Sequence, residues 1–167
     1  MSNGPEQSLD TAQVQLQKLD RILDEYEEKH GIKRPDYNEE VDDYLALTKE
    51  QMVNMTMQEC VIARFLLEQH AFHIQKTLNK EVSRAKWCAA NIEIAYATRA
   101  NEHRNPATYQ SKEELKGLVV AGNTYTKKMN QLLIEAENRI ARLQGLPEKI
   151  SYMSNTLRSL EYSKSGK

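Results

Sequence analysis

Lys76, Lys80 and Arg84 are spaced i, i+4, i+8, so on a helix they share one face. His73 precedes this row, Trp87 follows it, and Asn79 and Lys86 flank it. Like charges at i, i+4 repel by about 0.2–0.5 kcal/mol per pair. No acid stands four residues from any of the three, and only Glu81, three before Arg84, is a local partner. Such a row calls for an anion from elsewhere. A nucleic-acid backbone meets that need, because each cation that replaces a phosphate counterion gains by ion release. Trp87 and Tyr96 offer stacking surfaces for unpaired bases. Lys76, Lys80, Arg84, Lys86 and Trp87 are therefore the candidate nucleic-acid-binding residues. Lys127, Lys128, Arg139 and Arg142 form a second, weaker basic set, in which Glu135 stands four residues before Arg139 at the spacing of an intrahelical pair. Two plainer readings stand beside this one. A solvated basic face is ordinary. Alternatively, Glu39, Glu40, Asp42 and Asp43 pair with the row, at only ~0–1 kcal/mol per surface pair.

Enzyme signatures are missing from the sequence: it has no P-loop, GxGxxG, GxSxG or HExxH. His70 and His73, at i, i+3, have a spacing that can bring two imidazoles to one metal. Di-metal helical bundles add a glutamate three residues before each such histidine, and here those places hold Leu67 and His70. His70 thus reads as a core or interface histidine. Cys60 and Cys88 fall on an apolar stripe, where cysteine behaves as a small hydrophobe. The expectation is a protein with no catalytic residues, no metal ligands and no cofactor.

The elements that must carry these residues all read as helix. Leu9, Ala12, Leu16, Leu19, Leu23 and Tyr26 step by 3 and 4, and His30 and Gly31 supply a last turn and stop. Pro35 keeps the next stretch non-helical, and Glu39 to about Leu47 makes a short helix. Thr48 with Gln51, Thr56 with Glu59 and Ser111 with Glu114 are capping boxes. From Met57 neither glycine nor proline occurs until Pro106, and the stripe Cys60, Ala63, Leu67, His70, Ile74, Leu78, Glu81, Ala85, Cys88, Ile92, Ala95 predicts one helix of roughly 45 residues, ~70 Å long. Leu115, Leu118, Gly122, Tyr125, Met129, Leu132, Ala136, Ile140 and Leu143 predict a second long helix ended by Gly145 and Pro147. Ile150, Met153, Leu157 and Leu160 mark a last one, and the tail SKSGK is expected to fray.

The expected fold is all-α: an elongated hairpin of two long antiparallel helices joined near residue 106, with shorter flanking helices and coiled-coil-like packing near +20°. Residues 1–47 form an acidic arm, 48–105 a short and a long helix, and 106–167 the second long helix and the C-terminal one, with 48–167 a single helical domain. Phe65, Leu66, Phe72, Trp87, Ile94 and Tyr96 lie off the main seam, so the reading includes a homo-oligomer.

The net charge of −1 hides a division. Residues 1–56 hold 6 Lys and Arg against 13 Asp and Glu, whereas 57–167 hold 17 against 11. This is a basic body with an acidic arm, which either shields a polyanion site or mimics its ligand. No apolar run approaches the ~20 residues of a membrane helix, and the polar N-terminus does not read as a signal peptide. The two cysteines do not make a disulfide framework. A cytoplasmic protein without membrane contact is expected.

The runs TMQECVIARFLLEQHAFHIQKTLNKEVSRAKW and YTKKMNQLLIEAENRIARLQGLPEKISYMSNTLRSL look like small helical proteins of large tailed phages. The layout over residues 56–162 resembles the UvsY-type recombination mediators: a long helix with a central basic stretch, a loop, then a helical half. That resemblance implies single-stranded DNA binding, ring assembly, and help in loading a recombinase while single-strand-binding protein is displaced. The cation row itself is nominated from its charges alone. The alternative is a structural or adaptor protein of a virion or host-takeover complex, and a further one is an inhibitor whose acidic arm mimics DNA.

Overall fold

A computed structural model describes residues 5–165, with side chains from 11 to 165. Those residues are all-helical, without a strand among them. In chain order they form α1 (Pro5–Lys29), a 3-10 turn (Glu39–Val41), α2 (Asp42–Leu45), α3 (Lys49–Asn54), α4 (Met57–His103), α5 (Lys112–Ala121), α6 (Thr124–Leu143) and α7 (Leu146–Ser165). The Leu9 side chain and the last two residues of the SKSGK tail lie outside what is described, whereas Ser163–Ser165 continue α7.

The termini follow local chemistry. Gly31 at φ 65° ends α1: its N–H reaches the Glu28 carbonyl, and the Ile32 N–H reaches Glu27, the paired bonds of a Schellman stop. All three expected capping boxes form, with Thr48, Thr56 and Ser111 hydroxyls accepting from the backbone N–H three residues on. Gln51, Glu59 and Glu114 side chains accept in return from the cap N–H. The long helix is 47 residues and continuous. Gly145 at φ 80° separates α6 from α7.

The chain packs as two compact units. One combines the chain up to Ile32 with Lys80–Ala141, and the other combines Lys33–Asn79 with the chain from Arg142 onward. Sequence periodicity shows that α1 must bury a stripe, not against what. In the first unit Ala12 and Leu16 of α1 join Cys88 and Ile92 of α4 and Met129 and Leu132 of α6. In the second, Cys60, Ala63, Leu67 and Ile74 of α4 pack with Ile150 and Leu157 of α7, with Val41, and with Met55. Each cluster seals one stretch of the α4 stripe.

The second long helix is interrupted. Asn123 ends its run by turning its side chain on the backbone, accepting from the N–H groups of Tyr125 at 2.8 Å and Thr126 at 3.3 Å. The Thr126 hydroxyl donates among the Val119, Val120 and Asn123 carbonyls left open by the break. Space is tight at Gly122: a Cβ there would lie 2.9 Å from His103 Cε1, the far end of a side chain at the end of α4, so a larger residue would make that ring shift. Leu118 is consequently 42 % exposed instead of facing the core. Asn123→Ala should lower unfolding stability by about 1 kcal/mol, the usual worth of an N-cap, and Asn123→Asp should keep most of it. Urea midpoints at constant m-value check this, and an unchanged alanine variant would deny the cap.

Candidate functional site

The cation row lies on α4, and each unit answers its share with carboxylates. In the first unit α1 runs antiparallel to α4, so steps of four match. Asp24 Oδ2 is 3.4 Å from Lys80 Nζ, and Asp20 takes Arg84 through both Nε and Nη2, the latter at 2.6 Å. The apolar contacts keep the same register, with Leu16 and Ala12 in the cluster that holds Cys88 and Ile92. In the second unit Lys76 Nζ is 3.4 Å from Asp36 Oδ1. The expectation of a row without carboxylates is thereby corrected. Its partners are Asp20, Asp24 and Asp36, not Glu39, Glu40, Asp42 or Asp43. Spacing along one helix cannot reveal a partner brought by another.

These pairs differ in kind. Asp36 and Asp24 side chains are 89 % and 63 % exposed, so the two lysine pairs are surface pairs of low worth. Arg84 sits deeper, with a bidentate aspartate and Glu81 Oε1 at 2.7 Å from Nη1. The Asp20 hydrogen bonds are the first cause that holds the Arg84 guanidinium above its ordinary pKa, against desolvation. Glu81 is 5 % exposed and takes a second cation, Arg139, whose Nε lies 2.9 Å from Oε2 without the angle of a hydrogen bond. Glu135 is 4.0 Å from Arg139 at the expected i, i+4 spacing. Asp20, Glu81, Arg84, Glu135 and Arg139 line a cavity of ≈ 380 Å³ with Gln13, Gln17, Leu16 and Leu132. Its charges are engaged with one another.

The other nominated residues are not brought together. Lys86 is exposed, whereas Trp87 is half-buried and packs on the first unit's core, which removes one face from stacking. Lys112 Nζ lies 5.6 Å from the Tyr96 ring centroid. Lys127 is exposed and Lys128 half-buried in the first unit; Arg142 is exposed in the second. Cys60 and Cys88 are buried, and burial pushes the Cys88 thiol up to about 11. That keeps it protonated and unreactive at neutral pH. No cluster of three or more His, Cys, Asp or Glu suited to a metal ion forms among the described residues.

A second polar cluster was not foreseen. In the second unit Tyr37 lays its ring against His70 and His73, at 5.7 and 6.1 Å between centroids, and its hydroxyl donates to Asp42 Oδ2 at 2.6 Å. The imidazoles stack at 6.2 Å, and both Nδ1 atoms are buried without a hydrogen-bond partner among the described residues. The sequence signal was the i, i+3 histidine pair. What it lacked was the loop tyrosine between Pro35 and Glu39.

No family model matches the chain, and neither a curated protein nor a solved structure matches it.

Two outcomes follow. Arg84→Ala leaves the buried Glu81 carboxylate with Arg139 alone, and should cost about 3 kcal/mol, as for a broken buried pair. Lys80→Ala should cost under about 1 kcal/mol. Similar losses for both by urea unfolding would contradict the ranking. Burial, then the neighbouring His73, lowers the His70 pKa below its ordinary 6.5. The unfolded chain therefore binds the proton first, and stability falls as pH drops from above 6.5 toward the depressed value. Unfolding free energies at pH 7.5 and 5.5 should show that fall, and His70→Gln should shrink it.

Proposed function

We propose that this chain is a non-catalytic helical adaptor or structural protein that acts through its surfaces. One observation carries the reading: the cations that called for a polyanion already face carboxylates, while large apolar side chains of α4 stand in water, Phe65 and Phe72 each 61 % exposed. Exposed apolar patches of a few hundred Å² mark interaction surfaces. The reading includes coiled-coil-like packing of α4 against the helices that follow the loop near residue 106, with α5 and α6 together as the returning arm. Support comes from the antiparallel matches Glu93 with Lys116 and Glu81 with Arg139. Likeness to helical proteins of large tailed phages supports a place in a virion or a host-takeover complex, in the cytoplasm of the host, with no membrane partner.

The second reading keeps a recombination-mediator-like role in binding single-stranded DNA, with a recombinase or single-strand-binding protein as partner. What favours it is the looseness of the Lys76 and Lys80 pairs: phosphates could take the place of Asp36 and Asp24 with a gain in counterion release. Fluorescence anisotropy with an oligo-dT probe separates the two. The adaptor reading expects no binding at micromolar protein, at low or moderate salt, for the native chain and for the Asp24→Asn, Asp36→Asn variant. Salt-sensitive binding that Lys80→Glu abolishes would overturn it in favour of the mediator.

A further inference from the structure

In the second unit α4 carries two seams. Cys60, Ala63, Leu67 and Ile74 face the core. On the opposite side Gln58, Ile62, Phe65, Gln69, Phe72 and Lys76 recur at alternating steps of 4 and 3, the a/d spacing of a coiled coil. Ile62 is 44 % exposed and Phe65 and Phe72 61 % each, with Met57 and Val61 at 47 % along the same flank. A spacing that fits a partner helix, on a face where Ile62, Phe65 and Phe72 stay exposed among the described residues, is a half-made interface.

We propose that a second copy of this chain covers it, the two α4 seams pairing antiparallel about a two-fold axis. This rests on the reading that the protein acts through its surfaces. Three observations select a copy as the occupant. First, the seam from Gln58 to Phe72 is uncharged, so it offers no sign for a charged partner to recognise. Secondly, it is self-complementary, and its charge favours one direction. Centring the pair midway between Phe65 and Gln69 sets Phe72 of each copy across from Ile62 of the other, Phe65 across from Gln69, and Lys76 across from Gln58. A parallel pair would set Lys76 against Lys76, a repulsion that the antiparallel one avoids. Thirdly, the area is sufficient. The five apolar side chains offer roughly 400 Å² per copy, given ~150–250 Å² for a fully buried aromatic. Gln58, Gln69 and Gln75 lie along the same strip and bring the patch toward the ~800 Å² per partner of a standard interface. The net charge of −1 adds little long-range repulsion between copies.

Light scattering with size-exclusion chromatography on the full chain, from about 1 to 100 μM, should give twice the 19.3 kDa mass of one chain. Phe72→Glu and Phe65→Glu should raise the dissociation constant by at least about 100-fold, while circular dichroism stays native because both rings are already largely in water. Mixing chains that carry Gln58→Cys alone with chains that carry Lys76→Cys alone reports direction. Oxidation of the mixture should link one variant to the other when the helices run antiparallel, whereas a parallel pair would link each variant to itself; the two sites are about 27 Å apart along one helix, too far to join in any other register of this seam. The native Cys60 and Cys88 are buried and do not compete. A monomer at about 100 μM overturns the pairing, as does a dimer that survives Phe72→Glu or fails to cross-link. Such failures leave the adaptor reading intact, whereas salt-sensitive oligonucleotide binding defeats that reading and says nothing against the pair.

Discussion

A helix of 47 residues does not hold itself together in water by its own backbone bonds; it persists because an apolar stripe is taken out of solvent along its length. Nearly every other element answers that need. Ala12, Leu16, Met129 and Leu132 cover the stretch around Cys88 and Ile92. Val41, Met55, Ile150 and Leu157 cover the stretch around Cys60, Leu67 and Ile74. The short pieces between α1 and α4 have no helical stability of their own at this length. They are held by buried Val41 and Met55 and by Lys164, whose ammonium donates to the Val53 carbonyl at 2.8 Å and to that of Met55.

Where the stripe turns polar, the ionic architecture follows. Glu81 occupies a core position of α4, and an isolated buried carboxylate would be costly. Arg84 and Arg139 answer it, and Arg84 in turn holds Asp20. Such a network adds little net stability over an apolar replacement, yet losing one member leaves a charge stranded. Its effect is to fix register: it admits α1 and α6 only where their charges meet those of α4. The Lys80–Asp24 pair one turn away obeys the same register while contributing far less, because water competes for it.

Local chemistry was readable and long-range chemistry was not. The capping boxes, the Gly31 stop and the extent of α4 depend on residues within a few positions of one another, and pattern suffices for them. The stripe through Leu118, Gly122 and Tyr125 misled, because period alone does not register that Asn123 and Thr126 can satisfy a broken helix with their side chains. The crowding at Gly122 comes from His103, nineteen positions earlier and on another helix. The row at Lys76, Lys80 and Arg84 was found correctly as a row, but its partners were not. A clue was present: Asp20 and Asp24 repeat at the same interval of four, and Glu81 stood as a charge within an apolar series.

Which faces are left unsatisfied then becomes the functional question. A charged side chain in water loses little by remaining alone, so an exposed lysine argues weakly for any ligand. A phenylalanine at 61 % exposure is different in kind, since each Å² withdrawn from water is worth about 25 cal/mol and needs no special partner chemistry. Two such residues seven positions apart on α4, with Ile62 at the matching step, hold most of the recoverable free energy on that face. The same surface is a hazard to a chain that leaves it bare, because non-specific association would use it as readily. Gln58 and Lys76 limit that freedom at the two ends of the seam: registers that bury either against phenylalanine without a route to solvent are penalised. The arrangement thus combines a driving force with a means of choosing among partners, which is what separates an interface from a merely greasy patch.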